Sequence, residues 1–172
     1  IQHAADLGAD IISMSLGDSA SSLLIRDACQ YAWDKGCLLV GGAGNEYSEG
    51  VCYPARYDTV ICVGAIHPNS NWAIFSNWGP EMELVAPGVD ILSTFPGATY
   101  TTKTGTSMAT PFVAGVDGLV WSANPDLTNQ DVRDLLRITA DDLGSPEFVG
   151  GPGWDEYYGY GRVDAQEAVG PP

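Results

Sequence analysis

Apolar and polar positions along the chain fall into short blocks with two different periods. Asp10–Leu16 (DIISMSL) is a β-prone run set between Gly8 and Gly17. Behind it, from about Ser21 to Lys35, Leu24, Ala28, Tyr31 and Ala32 recur at the three- and four-residue spacing of a helix face. Gly36 stands where such a helix would stop. Cys37–Val40 (CLLV) and Thr59–Val63 (TVICV) are continuous apolar runs of strand length. Strand, helix, strand in this order predicts a right-handed βαβ unit with parallel strands. Strands that are apolar throughout predict a sheet covered on both faces. The expected class is α/β.

Between those last two strands, Gly44–Asp58 is a long segment rich in Gly, Ser and Glu, of a length that in compact domains is often functional. Glu83–Ala86 and Asp90–Ser93 read as short strands on either side of Pro87-Gly88. From Thr106 to about Ala123 a helix is apolar nearly all round, with Met108, Phe112, Val113, Val116, Leu119, Val120 and Trp121, and is expected to be buried. Pro111 is compatible with it as a first-turn residue, whose N–H has no intrahelical partner in any case. Thr128–Asp131 has the form of a capping box ahead of Val132, Leu135 and Leu136. Ile1–Gly8 reads as a helix already under way. A length of 172 residues suits one domain, and no repeat or low-complexity segment marks a second.

Charge narrows the partners. Acidic residues outnumber basic ones 22 to 7, and a net charge of -15 repels nucleic acid phosphates. The same balance fits salt adaptation or an ordinary acidic exported protein. Four cysteines (Cys29, Cys37, Cys52, Cys62) allow two disulfides in three connectivities, as in an exported protein, or four buried thiols. With no C-x-x-C pair and two histidines, a structural zinc site is disfavoured. No apolar run approaches the roughly 18 residues of a membrane span.

Two motifs fail on inspection. Gly42-Ala43-Gly44 lacks the third glycine of a dinucleotide loop, because Tyr47 stands there. Lys103-Thr104-Gly105 has no accompanying S-x-x-K. The candidate chemistry lies in Gly105–Pro111 (GTSMATP), a glycine turn that enters the apolar helix with a serine at its start. Such a serine is either an N-cap or a nucleophile, since the positive end of the helix serves both.

Gly105–Gly115 (GTSMATPFVAG) resembles the nucleophile motif of the subtilisin-like serine proteases, or subtilases. Four further segments resemble that family in the same order: Ile11–Gly17, Gly41–Glu46, Val85–Gly88 and Tyr158–Val169. The resemblance covers nearly the whole chain. It implies a three-layer α/β fold and identifies residues 1–172 as the C-terminal portion of one catalytic domain, with the N-terminal part of that domain as its partner. It implies a secreted endopeptidase with Ser107 as nucleophile and Asn45 as oxyanion donor, acting on peptide or protein substrates. Ser15, Leu16, Gly17, Gly42, Ala43 and Gly44 would line the substrate groove, favouring large apolar side chains. Glu46 at its rim either admits a basic side chain or is simply solvated.

No cofactor is needed for this chemistry. Glu81 and Glu83 fall where some family members bind a weak cation, so a structural calcium is one reading and solvated carboxylates the other. Phe112 stands where many relatives carry histidine, and Asp117 interrupts the apolar helix. The aspartate and H-G-T-H motif of the family triad are not found, and neither His3 nor His67 matches them. A serine without a base is a poor nucleophile, so the alternative is a non-catalytic domain that binds or supports.

Overall fold

A computed structural model describes residues 1–144 and 153–170. Its architecture follows from side-chain alternation along two central strands. In β2 (Leu38–Gly42), Leu38 and Val40 join one core cluster and Leu39 another. In β3 (Val60–Ile66), Ile61 and Val63 join the first cluster and Val60 the second. With a two-residue period, both faces of a strand are buried only when both carry a covering layer. Parallel pairing then orders four strands as β1 (Ile11–Met14), β2, β3 and β4 (Leu84–Pro87). Among the described strands, β1 and β4 are the edges, and β4 is bridged on its outer side by Val85 to Arg162.

One face is covered by α3 (Thr106–Ala123), which crosses all four strands, with α4 (Asn129–Thr139) and α5 (Ala165–Val169) beside it. The other carries α2 (Leu23–Asp34) and α1 (Gln2–Asp6), which bury Ala5, Cys29 and Ala32 against Met14, Leu39 and Val60. The parallel sheet between two helical layers is the predicted α/β fold. Each fully buried Leu, Ile or Val contributes about 1.5–3 kcal/mol. The caps are local: Ser22 Oγ accepts the Ile25 N–H, and Thr128 and Asp131 form the predicted capping box of α4.

The structure corrects several expectations. The buried face of α2 is that of Cys29 and Ala32, whereas Leu24 and Tyr31 are exposed. The last strand pattern is half of a hairpin: β5 (Ile91–Phe95) turns back antiparallel into β6 (Thr99–Lys103). In α3, Ala109, Val113, Val116 and Val120 are buried, but Phe112 and Leu119 lie 44% and 53% exposed, because the helix packs on the sheet with one side. Pro111 sits inside α3 and beyond its first turn. All four cysteines are free thiols, three of them buried, so the disulfide alternative does not hold. Desolvation pushes the Cys29 thiol up to about 11. Asp117 is fully buried on α3, and among the described residues neither carboxyl oxygen has a hydrogen-bond partner. Burial first, and the Glu83 carboxylate second, hold it well above the ordinary carboxylate range.

Candidate active site

In an open parallel sheet, the crevice at the carboxyl ends of the strands is where loops and helix N-termini converge. Here the segments after β1 and β2 meet the first turn of α3 around a small pocket of about 130 Å³. It is lined by Ser15, Leu16, Gly17, Gly42, Gly44, Asn45, Glu46, Cys52, Thr106 and Ser107.

Ser107 is the second residue of α3 and is half-buried. The turn before the helix is pinned where the Gly105 N–H donates to Gly88 O at 2.8 Å. A Cβ at Gly88 would lie 2.7 Å from that of Ala65 and 2.9 Å from Gly105 O, so no larger residue lets the turn approach so closely. The first-turn N–H groups of α3, Ser107's among them, open at the positive end of an 18-residue helix.

Asn45 is oriented by Thr106. The Thr106 N–H donates to Asn45 Oδ1 at 2.8 Å, and the Thr106 hydroxyl donates to the same oxygen at 3.2 Å. A backbone N–H can only donate, which identifies Oδ1 and leaves the two Nδ2 protons uncommitted to this contact. Gly44, at φ +109°, delivers Asn45; a Cβ there would lie 2.3 Å from Asn77 Nδ2 and 2.7 Å from Cys52 Sγ.

The opposite wall is held by a residue that the sequence does not advertise. Asn77, 1% exposed, donates from Nδ2 to Glu46 Oε2 at 2.7 Å and to Ala43 O at 3.3 Å. Its Oδ1 accepts the Glu46 and Ser48 N–H groups at 2.9 and 3.2 Å. Glu46 Oε2 also accepts the Asn45 N–H at 2.9 Å and faces Cys52 Sγ at 3.7 Å. Glu46 is therefore tethered as well as solvated. Ala43, expected in the groove, is fully buried instead: its N–H goes to Val63 O and its carbonyl accepts from Cys52 N and Asn77. His3 lies in α1 and His67 just beyond β3, and neither lines the pocket.

The cation expectation for Glu81 and Glu83 meets a misfit. Arg133 donates to both oxygens of Glu83, Nε to Oε1 at 2.7 Å and Nη2 to Oε2 at 2.6 Å. Arg137 Nε adds a bond to Oε1 at 2.9 Å, and Arg56 Nε donates to Glu81 Oε1 at 3.0 Å. Three guanidinium groups line the cavity between these carboxylates. A divalent ion there would have to displace or repel them, so this residue set does not fit a metal.

Residues 1–161 match the family model of the subtilases. The chain belongs to the subtilase family. A halolysin-like extracellular serine protease Nep from Natrialba magadii is 48% identical over 169 residues, covering 98% of this chain and 30% of that protein. Subtilisin DY from Bacillus licheniformis is 42% identical over 173 residues, covering 98% of the chain and 60% of the relative. A thermostable alkaline protease from Halalkalibacterium halodurans is 47% identical over 150 residues, covering 87% and 42%. The chain thus spans between 30% and 60% of the length of these subtilases. Three of the five segments that resembled the family line the pocket: the strand end at Ser15–Gly17, the loop at Gly42–Glu46 and the helix start at Ser107. Among the described residues, no helix is long and apolar enough to cross a membrane.

Proposed function

We propose that this chain carries the nucleophile and oxyanion-binding half of a secreted serine endopeptidase site, with histidine and aspartate supplied from outside residues 1–172. The observation that carries this reading is the joint placement of Ser107 and Asn45 in one pocket, Asn45 held through Oδ1 by the residue preceding the serine. Placement outside the cell is supported by the extracellular protease among the relatives.

In this reading an extended peptide pairs with the free edge at Ser15–Gly17, which continues β1, through main-chain hydrogen bonds. Its side chain before the scissile bond enters the pocket, where an apolar group meets backbone walls and a basic one reaches Glu46. Ser107 Oγ attacks the carbonyl carbon and gives its proton to the incoming histidine. The oxygen that becomes negative takes donors from Asn45 Nδ2 and the Ser107 N–H, both set before the charge develops. Collapse of the tetrahedral intermediate protonates and expels the amine, leaving an acyl ester on Ser107. Water, activated by the same histidine, hydrolyses it.

The test is hydrolysis of a peptide anilide by the chain assembled with a subtilase N-terminal segment that bears the aspartate and histidine. Release of the amine with an acyl adduct on Ser107, both lost in Ser107→Ala, is expected. Hydrolysis that survives Ser107→Ala, or a folded assembly with none, would reject the reading.

A further inference from the structure

Pro111 removes one hydrogen bond from α3, and the place of that loss is specific. In an α-helix the N–H of residue 111 would donate to the carbonyl of residue 107. The carbonyl left over is therefore that of Ser107 itself. Ser15 Oγ donates to it at 2.8 Å across 92 residues of sequence. The two preceding carbonyls are served from within the helix: Gly105 O accepts the Met108 N–H at 3.0 Å, and Thr106 O accepts the Thr110 hydroxyl at 2.8 Å. Of these three, among the described residues, the Ser107 carbonyl is the one that takes its bond from another element.

We propose that Ser15 is a positioning residue for the reaction. Its hydroxyl supplies the hydrogen bond that Pro111 cannot, and so ties the backbone of Ser107 to the segment that binds substrate. The inference rests on the reading of Ser107 as nucleophile. Its physical content is coupling: the peptide registers on Ser15–Gly17, and the same serine sets the backbone from which Ser107 Oγ projects. The distance from Oγ to the scissile carbonyl is then fixed by one hydrogen bond rather than by two independent elements, the kind of orientation on which attack geometry depends. Without it, the start of α3 is held to this side through Gly105 and Thr106, which bond Gly88, Asn45 and Gly44, and Ser107 itself has no such tie among the described contacts.

The proposal has an internal control, because alanine at 111 restores an N–H that can serve Ser107 O directly. In the assembled protein, fluorophosphonate labelling of Ser107 should slow by about two- to tenfold in Ser15→Ala, the span expected of one neutral hydrogen bond. Ser15→Thr, which keeps the hydroxyl, should recover the native rate. In a Pro111→Ala background, Ser15→Ala should have no further effect. A merely structural role would not produce that background dependence. Equal rates for native and Ser15→Ala, or the same loss in both backgrounds, would overturn the proposal. The carbonyl ¹³C resonance of Ser107 supplies a readout free of activity: it should move in Ser15→Ala and stay in place when Pro111→Ala is present. If the native protein itself takes no label, the nucleophile reading has failed, and the Ser15 bond is then judged by the carbonyl resonance alone.

Discussion

Replacing Arg133 by methionine should be among the most damaging single changes in the chain outside the pocket. Arg133 and Glu83 are 8% and 5% exposed at the side chain, and their contact is bidentate. Arg133 also donates through Nη1 to Asp58 O at 2.6 Å, which ties α4 to the loop that leads into β3. Truncating one partner of a buried pair costs about 3–5 kcal/mol, because the other charge is left without compensation. Glu83 keeps Arg137 Nε at 2.9 Å, and methionine preserves most of the apolar stem. The expected loss therefore sits at the lower end, about 3 kcal/mol. With a urea dependence of about 2 kcal/mol/M, the unfolding midpoint should fall by about 1.5 M. The double variant with Glu83→Gln isolates the pair: Arg133→Met should cost less there by about 1 kcal/mol or more, since no buried charge is then stranded. A loss below about 1 kcal/mol, or an equal loss in both backgrounds, would refute the claim that Glu83 is neutralised by this chain's own arginines.

Three further outcomes follow from particular residues. Asp117 has its folded-state pKa raised, so folding takes up a proton above the unfolded value of 3.8; its contribution to stability should fall as pH climbs from about 4 towards the folded value and then level off. Glu83 is the charged neighbour that acts on it, and β1, β2 and β4 carry no ionisable side chain while β3 carries Cys62 alone. Urea midpoints of Asp117→Asn should match the native chain near pH 4 and exceed it increasingly above, and a gap constant with pH would contradict this. A net charge of -15 repels itself, so the midpoint should rise between about 0.1 and 1 M potassium chloride, where the screening length shrinks from roughly 10 to 3 Å; a flat or falling midpoint would count against it. Gly44→Ala combines a φ of +109° with a Cβ 2.3 Å from Asn77 Nδ2, and should lose about 1–3 kcal/mol in thermal or urea unfolding, whereas Gly97→Ala, with open space around its Cβ at φ +89°, should lose less.

What could be read from the chain depended on how local its cause was. α3 was legible to its ends because eighteen mostly apolar residues between Gly105 and Asn124 leave few alternatives, and the central strands because nothing interrupts their apolar runs. β6 was missed because Thr99–Lys103 (TYTTK) is β-prone but has no apolar face to bury, so only its pairing with β5 makes it a strand. The face of α2 was misjudged for the reverse reason: Leu24 and Tyr31 keep helical spacing without being covered. In the site, Ser107, Asn45 and the strand segment came from short motifs. Asn77 did not, because its partner Glu46 lies 31 residues away and a single asparagine in a turn carries no signal of burial. Cys52 lines the pocket only through the fold of the 44–58 segment. The arginines that claim Glu83 sit 50 and 54 residues downstream on a helix whose start was readable but whose target was not. Pro111 was read for its place in the helix, and its effect on the Ser107 carbonyl emerged only with Ser15 in view.

The central claim, that Ser107 attacks while Asn45 holds the oxyanion, is tested most directly by the rate of fluorophosphonate labelling in the assembled protein. The phosphonyl oxygen occupies the place of the oxyanion, so the rate reports nucleophile and donor together. Intact mass should show one adduct in the native protein and none in Ser107→Ala. Asn45→Ala should label about 10- to 160-fold more slowly, from the roughly 1.5–3 kcal/mol of a hydrogen bond to a charged group. An adduct that persists without Ser107, or an Asn45→Ala rate equal to the native one, would contradict the account.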